Sequence, residues 1–196
     1  MKTKTLTALA GCAILLTACF PSVNPFYTET DLVTDPKLPG EWREKDKTNS
    51  VVWRFEIADE KSYKLSITEE DGKQGEFEAR LLKLKDERFL DLTPSKLDYA
   101  TNQAVLVAAA MIPGHLLVRV SQIEPELKLA LFDNDWVEKY LEANPKAVAH
   151  QVRDHTVIFT AETVALQKFV LAHLGEGELF AKSETMVRKP LVSEKP

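Results

Sequence analysis

Cysteine is almost missing from this chain: among 196 residues only Cys12 and Cys19 carry a thiol, so no disulfide can staple anything beyond residue 19. The folding energy has to come from apolar burial. Glycine is scarce too, seven residues in all, and Gly175 and Gly177 follow a helical pattern instead of opening one, which argues against a phosphate cradle. Long apolar runs are lacking: the stretch 6–16 falls short of the about 20 residues that cross a hydrocarbon core of about 30 Å, and no stop-transfer charges follow it. There is no cationic excess. With 25 Lys and Arg against 30 Asp and Glu, a formal net charge of −5, the chain lacks the clustered basic charge that phosphate-backbone binding needs, and nucleic acid is disfavoured as a partner.

What the N-terminus does hold is the layout of an export signal: Lys2 and Lys4, the apolar stretch 6–16, then small residues before a cysteine. Leu16, Thr17, Ala18 and Cys19 resemble the lipobox of bacterial lipoproteins, in which the cysteine receives diacylglycerol before cleavage. The resemblance implies a signal peptide at 1–18, lipidation of Cys19, acylation of the new N-terminus, and a membrane as partner through that anchor. Several acyl chains, each contributing about 0.8 kcal/mol per buried methylene, make an anchor that hardly dissociates. In bacteria that sort by the following residue, Phe20 in place of aspartate points to the outer membrane, facing the periplasm.

Without the signal, 23 cations face 30 acids, a formal charge of −7 on a length that suits one domain. The expected division is a signal peptide at 1–18, a lipidated tether at 19–38, a single β-rich domain at 39–190 and a tail at 191–196. Pro21, Pro25 and Pro36, with Ser22, Asn24 and Thr28 between them, read as an extended spacer lifting the domain off the lipid. Phe26, Tyr27, Leu32 and Val33 are apolar enough to pack back, which leaves only the first part free.

From Gly40 the pattern turns to period two. Trp53, Phe55 and Ile57 share one face of 51–57, and Tyr63, Leu65 and Ile67 share one face of the next segment. Asp71-Gly72 is a strong hairpin signal, because glycine tolerates the positive φ of tight turns. Phe77, Ala79 and Leu81 alternate along 76–83, followed by strands at 88–92, 115–123 and 127–132, a β-meander. Three stretches break it: an apolar segment at 104–112, read as a helix or lid; a helix at 135–142 carrying Trp136, Val137, Tyr140 and Leu141; and a helix capped by Thr160 that runs to about Leu174. A last strand is expected over 179–188, closing the domain. The fold class is therefore mainly β (α+β), an antiparallel meander sheet or a lipocalin-like barrel with two to three helices.

Gly40-Glu41-Trp42, at the start of the first strand, resembles the G-x-W motif of lipocalins and related calycins. In that family the tryptophan plugs the closed end of the barrel and a late arginine packs across its indole, so the resemblance gives Gly40, Trp42 and Arg188 structural roles. Two interrupting helices depart from the family pattern and leave either an incomplete barrel or an open sheet covered by helices. The stretch Asn24-Pro25-Phe26-Tyr27-Thr28-Glu29 is similar to one that follows the anchor in a group of bacterial lipoproteins, a similarity that implies no activity.

Chemistry-bearing patterns are sparse. His115, His150, His155 and His173 share no zinc-ligand spacing, and no G-x-S-x-G elbow accompanies Ser95, Ser121 or Ser183. Glu69-Glu70 and Asp133 with Asp135 fall in turns or at helix starts, where acids cap amide donors. No catalytic residue, metal site or cofactor is expected. Arg119 shares a strand face with Leu117 and Ile123, a position from which it could greet an anionic ligand inside a barrel, the commoner alternative being a rim position or pairing with an acid. The expected function is a non-enzymatic, membrane-anchored lipoprotein that binds an apolar or amphipathic small molecule, with Trp53, Phe55, Tyr63, Leu65, Phe77 and Arg119 lining its barrel or groove, the alternative for the aromatic and aliphatic faces being a solid core. The competing reading is a protein-interaction subunit of an envelope assembly.

Overall fold

The computed structural model describes residues 20–47, 50–95, 114–153, 156–174 and 179–189. The stretch 1–18 expected to be an export signal, Cys19, the apolar stretch 104–112, His155, Gly175, Gly177 and the tail 191–196 lie outside the described residues. Alternation of apolar and polar side chains gives β1 Gly40–Glu44, β2 Val52–Ile57, β3 Tyr63–Thr68, β4 Gln74–Leu84, β5 Glu87–Pro94, β6 Leu116–Gln122 and β7 Leu127–Ala130. Each pairs antiparallel with the next. The Asp71-Gly72 turn forms as its chemistry demands: Gly72 takes φ +85°, and its N–H donates to the Glu69 carbonyl at 2.9 Å.

After β7 the chain leaves the sheet through α1 Asn134–Ala143, a hairpin of β8 His150–Arg153 and β9 Thr156–Phe159, and α2 Thr163–His173. It returns as β10 Glu184–Arg188. That strand inserts between β7 and β1, placing Met186 opposite Leu127 and Arg188 opposite Trp42. An eight-stranded antiparallel barrel closes in consequence, in the order β1-β10-β7-β6-β5-β4-β3-β2. The helices do not open the sheet, because the whole excursion lies outside it.

Two apolar layers share the wall built by β4 to β7. Leu81, Leu90 and Val118 belong to the barrel interior, while their chain neighbours Leu82, Phe89 and Leu117 belong to an outer layer. Strands buried on both faces lose the simple alternation and read as apolar doublets, as at Leu81-Leu82 and Phe89-Leu90. The outer layer is covered by Val137 and Leu141 of α1, Phe159 of β9, and Leu166, Phe169 and Val170 of α2. Each such side chain removed from water contributes about 1.5–3 kcal/mol, enough to hold the excursion without a disulfide.

Several expectations change. The first part of the segment 20–38 is no free spacer: Phe20 is 1% exposed and belongs to the outer layer, as does Phe26, whose packing back was expected. Ser22 bridges His115 and Phe159, and the Val33 N–H donates to the Leu81 carbonyl at 2.9 Å. Aromatic burial outweighs the extended preference of the prolines. The second helix starts at Thr163 with Glu162 as its cap residue, because the Thr160 and Ala161 N–H groups donate to the Ala149 carbonyl instead. The last strand begins only at Glu184, and Phe180 before it bridges Phe132. The β8–β9 hairpin went unread, since four-residue strands give too short a period to detect.

Candidate functional site

All eight barrel strands are antiparallel to their neighbours, so the barrel has two distinct rims. At one rim β1 begins, β2 ends, β3 begins and β10 ends, and the sequence seals it. Trp42 is fully buried, its indole N–H donates to the Leu38 carbonyl at 2.9 Å, and the Arg188 guanidinium lies 4.3 Å from its ring centroid. Arg188 also donates to the carbonyls of Pro39, at 2.6 Å, and Lys37. Gly40 sits under that guanidinium with φ +135°, where any Cβ would run into it. Tyr63 closes the same end, its hydroxyl accepting the Asp35 N–H at 2.8 Å while burial raises its pKa.

Above this plug the interior is packed. Phe55, Tyr63 and Leu65 from one wall and Val118, Val120, Leu127 and Leu129 from the other form a single buried cluster. Three of the expected ligand-lining residues, Phe55, Tyr63 and Leu65, are therefore core. Phe55 meets Tyr63 edge-on at 6.4 Å between ring centroids.

The opposite rim differs. There Trp53, Ile67, Phe77, Leu116 and Leu131 are only partly buried although they pack on the interior cluster. Glu44 shares their space: it is 9% exposed, faces inward beside Met186, and is ion-paired at 2.9 Å to Lys47. The structure thus keeps Trp53 and Phe77 as candidate lining residues and adds Ile67, Leu116 and Leu131. Their signal was the alternation itself, but alternation does not tell a rim from a core.

Arg119 does not enter the barrel. Its register opposite Phe89 and Ala130 puts it on the outer wall, where Nε and Nη2 fork onto Glu87 Oε2 at 3.0 and 2.8 Å. Ile123 does point inward, because a β-bulge between Val120 and Gln122 shifts the parity the sequence had suggested. Arg119 instead borders a surface cleft of about 290 Å³ with His173, Phe180, Lys182 and Ser183. His173 packs edge-on against Tyr140 at 4.5 Å, and its Nδ1 bonds the Phe169 carbonyl at 2.8 Å.

Two polar clusters had no sequence signal. Asp91 is 1% exposed on the outer wall and accepts the Phe26 N–H at 2.9 Å and bonds His115 Nδ1 at 2.7 Å, which ties the N-terminal segment to β5 and β6. Glu41, on the outer face of β1, gathers Arg54, Arg43 and Lys189 at 2.8, 2.9 and 3.3 Å. Hydrogen bonding from Arg54 above all, with Arg43 and Lys189, lowers its pKa from 4.5 to about 2. No group of three or more metal-ligating side chains occurs among the described residues.

Comparison with protein-family models, curated proteins and solved structures finds no match.

Proposed function

We propose that the protein is a non-enzymatic lipoprotein, anchored through Cys19 to the cell envelope, whose calycin-like barrel takes an apolar or amphipathic small molecule at its open rim. The supporting observation is the asymmetry of the barrel. One end is plugged by Trp42 and Arg188, while the other leaves Trp53, Ile67, Phe77, Leu116 and Leu131 partly exposed around an inward apolar surface. Partly exposed apolar groups gain free energy when a ligand covers them. Glu44 at this rim is already neutralised by Lys47, so a neutral head suits the site. The depth available is shallow, because the interior below is filled.

The test uses the chain from residue 20 onward with the neutral fluorophore N-phenyl-1-naphthylamine. Saturable enhancement is expected, weakened at least tenfold in Phe77→Glu and unchanged in Lys182→Ala on the outer cleft. No saturable binding, or equal binding by Phe77→Glu, refutes the rim as a site. Mass spectrometry of the exported protein tests the anchor: diacylglycerol on Cys19 is expected, and an unmodified thiol overturns it.

A further inference from the structure

We propose that the β8–β9 hairpin is the element that faces the lipid bilayer, held there because the domain has no tether. The inference rests on the anchored reading above and deepens it. Phe20, the residue after Cys19, is 1% exposed in the layer between the excursion and the barrel wall. Adjacent Cα atoms are about 3.8 Å apart, so a lipid on Cys19 begins within one residue of fully packed protein.

The direction in which the chain leaves is also set. The Phe159 N–H donates to the Pro21 carbonyl and the Val23 N–H donates to the Phe159 carbonyl, both at 2.9 Å, which makes Ser22 a parallel neighbour of Phe159. Going back from Pro21, the chain therefore runs beside β9 toward its beginning, where β9 joins β8. Neighbouring strands lie about 4.8 Å apart, so the described chain begins, at Phe20, close to this end of the hairpin, and the bond to Cys19 is one residue away.

The hairpin suits that neighbourhood. Val152, in the edge strand β8, is 63% exposed although it pairs with Val157, which is buried. Arg153 follows it, also exposed. The two point to opposite faces of β8, so that the end of the hairpin offers a headgroup layer an apolar side chain on one side and, on the other, a long cation able to reach phosphate. The only more exposed large apolar residue described is Ile57, at 70%, and it ends β2, four strands round the eight-stranded ring from β6 and so on the far side of the barrel.

The experiment places a bimane label on Val152→Cys or, separately, Ile57→Cys of the full lipid-bearing protein in phosphatidylethanolamine and phosphatidylglycerol vesicles, with a fraction of the lipid brominated in its acyl chains. Quenching at 152 several-fold above that at 57 is expected, and twelve Gly and Ser residues inserted between Cys19 and Phe20 should abolish the difference. Equal quenching at the two positions in protein that floats with the vesicles overturns the docking geometry alone. Protein that fails to float and carries no lipid on Cys19 overturns the anchor, and the docking with it. Both labelled positions are exposed, and near-ultraviolet dichroism checks that the barrel is intact.

Discussion

At the scale of single residues, Arg188 joins the two ends of the chain: a guanidinium over the Trp42 indole and two carbonyls of the approach to β1 held by its N–H groups. A cation over an indole contributes about 0.5–2 kcal/mol and a charge-assisted bond to a carbonyl about 1.5–3 kcal/mol. Arg188→Ala is expected to cost about 2–4 kcal/mol in urea unfolding, with Arg188→Lys in between because an ammonium cannot fork across both carbonyls. Loss of less than about 0.5 kcal/mol would show the plug to be ornamental. Glu41 gives a pH signature. Its folded pKa of about 2 lies below the ordinary 4.5, so its contribution is complete above 4.5 and disappears as pH falls toward 2. With solvent screening at this barrel surface the contribution is about 1–2 kcal/mol. Urea midpoints between pH 5 and pH 2.5 should fall more steeply for the natural chain than for Glu41→Gln, and parallel curves would remove Glu41 from the account.

At the scale of elements, caps and belts decide more than propensity. The Asp133 carboxylate accepts the Trp136 N–H at 3.0 Å and opens α1. Asp133→Ala should cost about 1 kcal/mol by thermal unfolding, whereas Glu162→Ala should cost little, since α2 has no side-chain cap bond to lose. The N-terminal belt is held by Phe26, whose ring sits 6.2 Å from Phe132 and whose N–H reaches Asp91. Phe26→Ala should cost about 3–5 kcal/mol, as for other buried aromatics, while a mere spacer would lose nothing measurable. These elements also show what was readable beforehand. The meander, the Asp71-Gly72 turn and α1 follow from period and turn chemistry, which are local, whereas the partnership of Trp42 with the distant Arg188 follows only from resemblance to a motif. In the belt at 20–38 the apolar residues Phe26, Tyr27, Leu32 and Val33 announce their own packing, whereas the burial of Phe20 depends on surfaces distant in sequence that its neighbouring prolines do not reveal. Arg119 was misplaced for a similar reason: a strand apolar on both faces has no outward side until its partners are known, and the bulge after Val120 hid which face Ile123 shares.

For the whole molecule, the barrel interior and the outer layer are two cores divided only by one sheet wall, β4 to β7. They should therefore unfold together: Leu65→Ala inside and Phe169→Ala outside are each expected to lower one common thermal transition, and a second transition in either variant would show that the layers are separable. Replacing 131–183 by a short turn should bare Leu82, Phe89 and Leu117 and give a chain that binds anilinonaphthalene sulfonate and aggregates.

The position of β10 in the ring also bears on how the chain comes into being. Its partner strands are β7 and β1, so the seam between Trp42 and Arg188 joins nearly the first residue of the barrel to nearly the last. A chain emerging from N- to C-terminus carries β1 through synthesis with one unpaired backbone edge, and β7 with another. Contacts so distant in sequence form late, and unpaired strand edges recruit other chains. A product ending before Glu184 has every strand of the meander and no means of sealing it, so premature termination yields an open sheet with two adhesive edges.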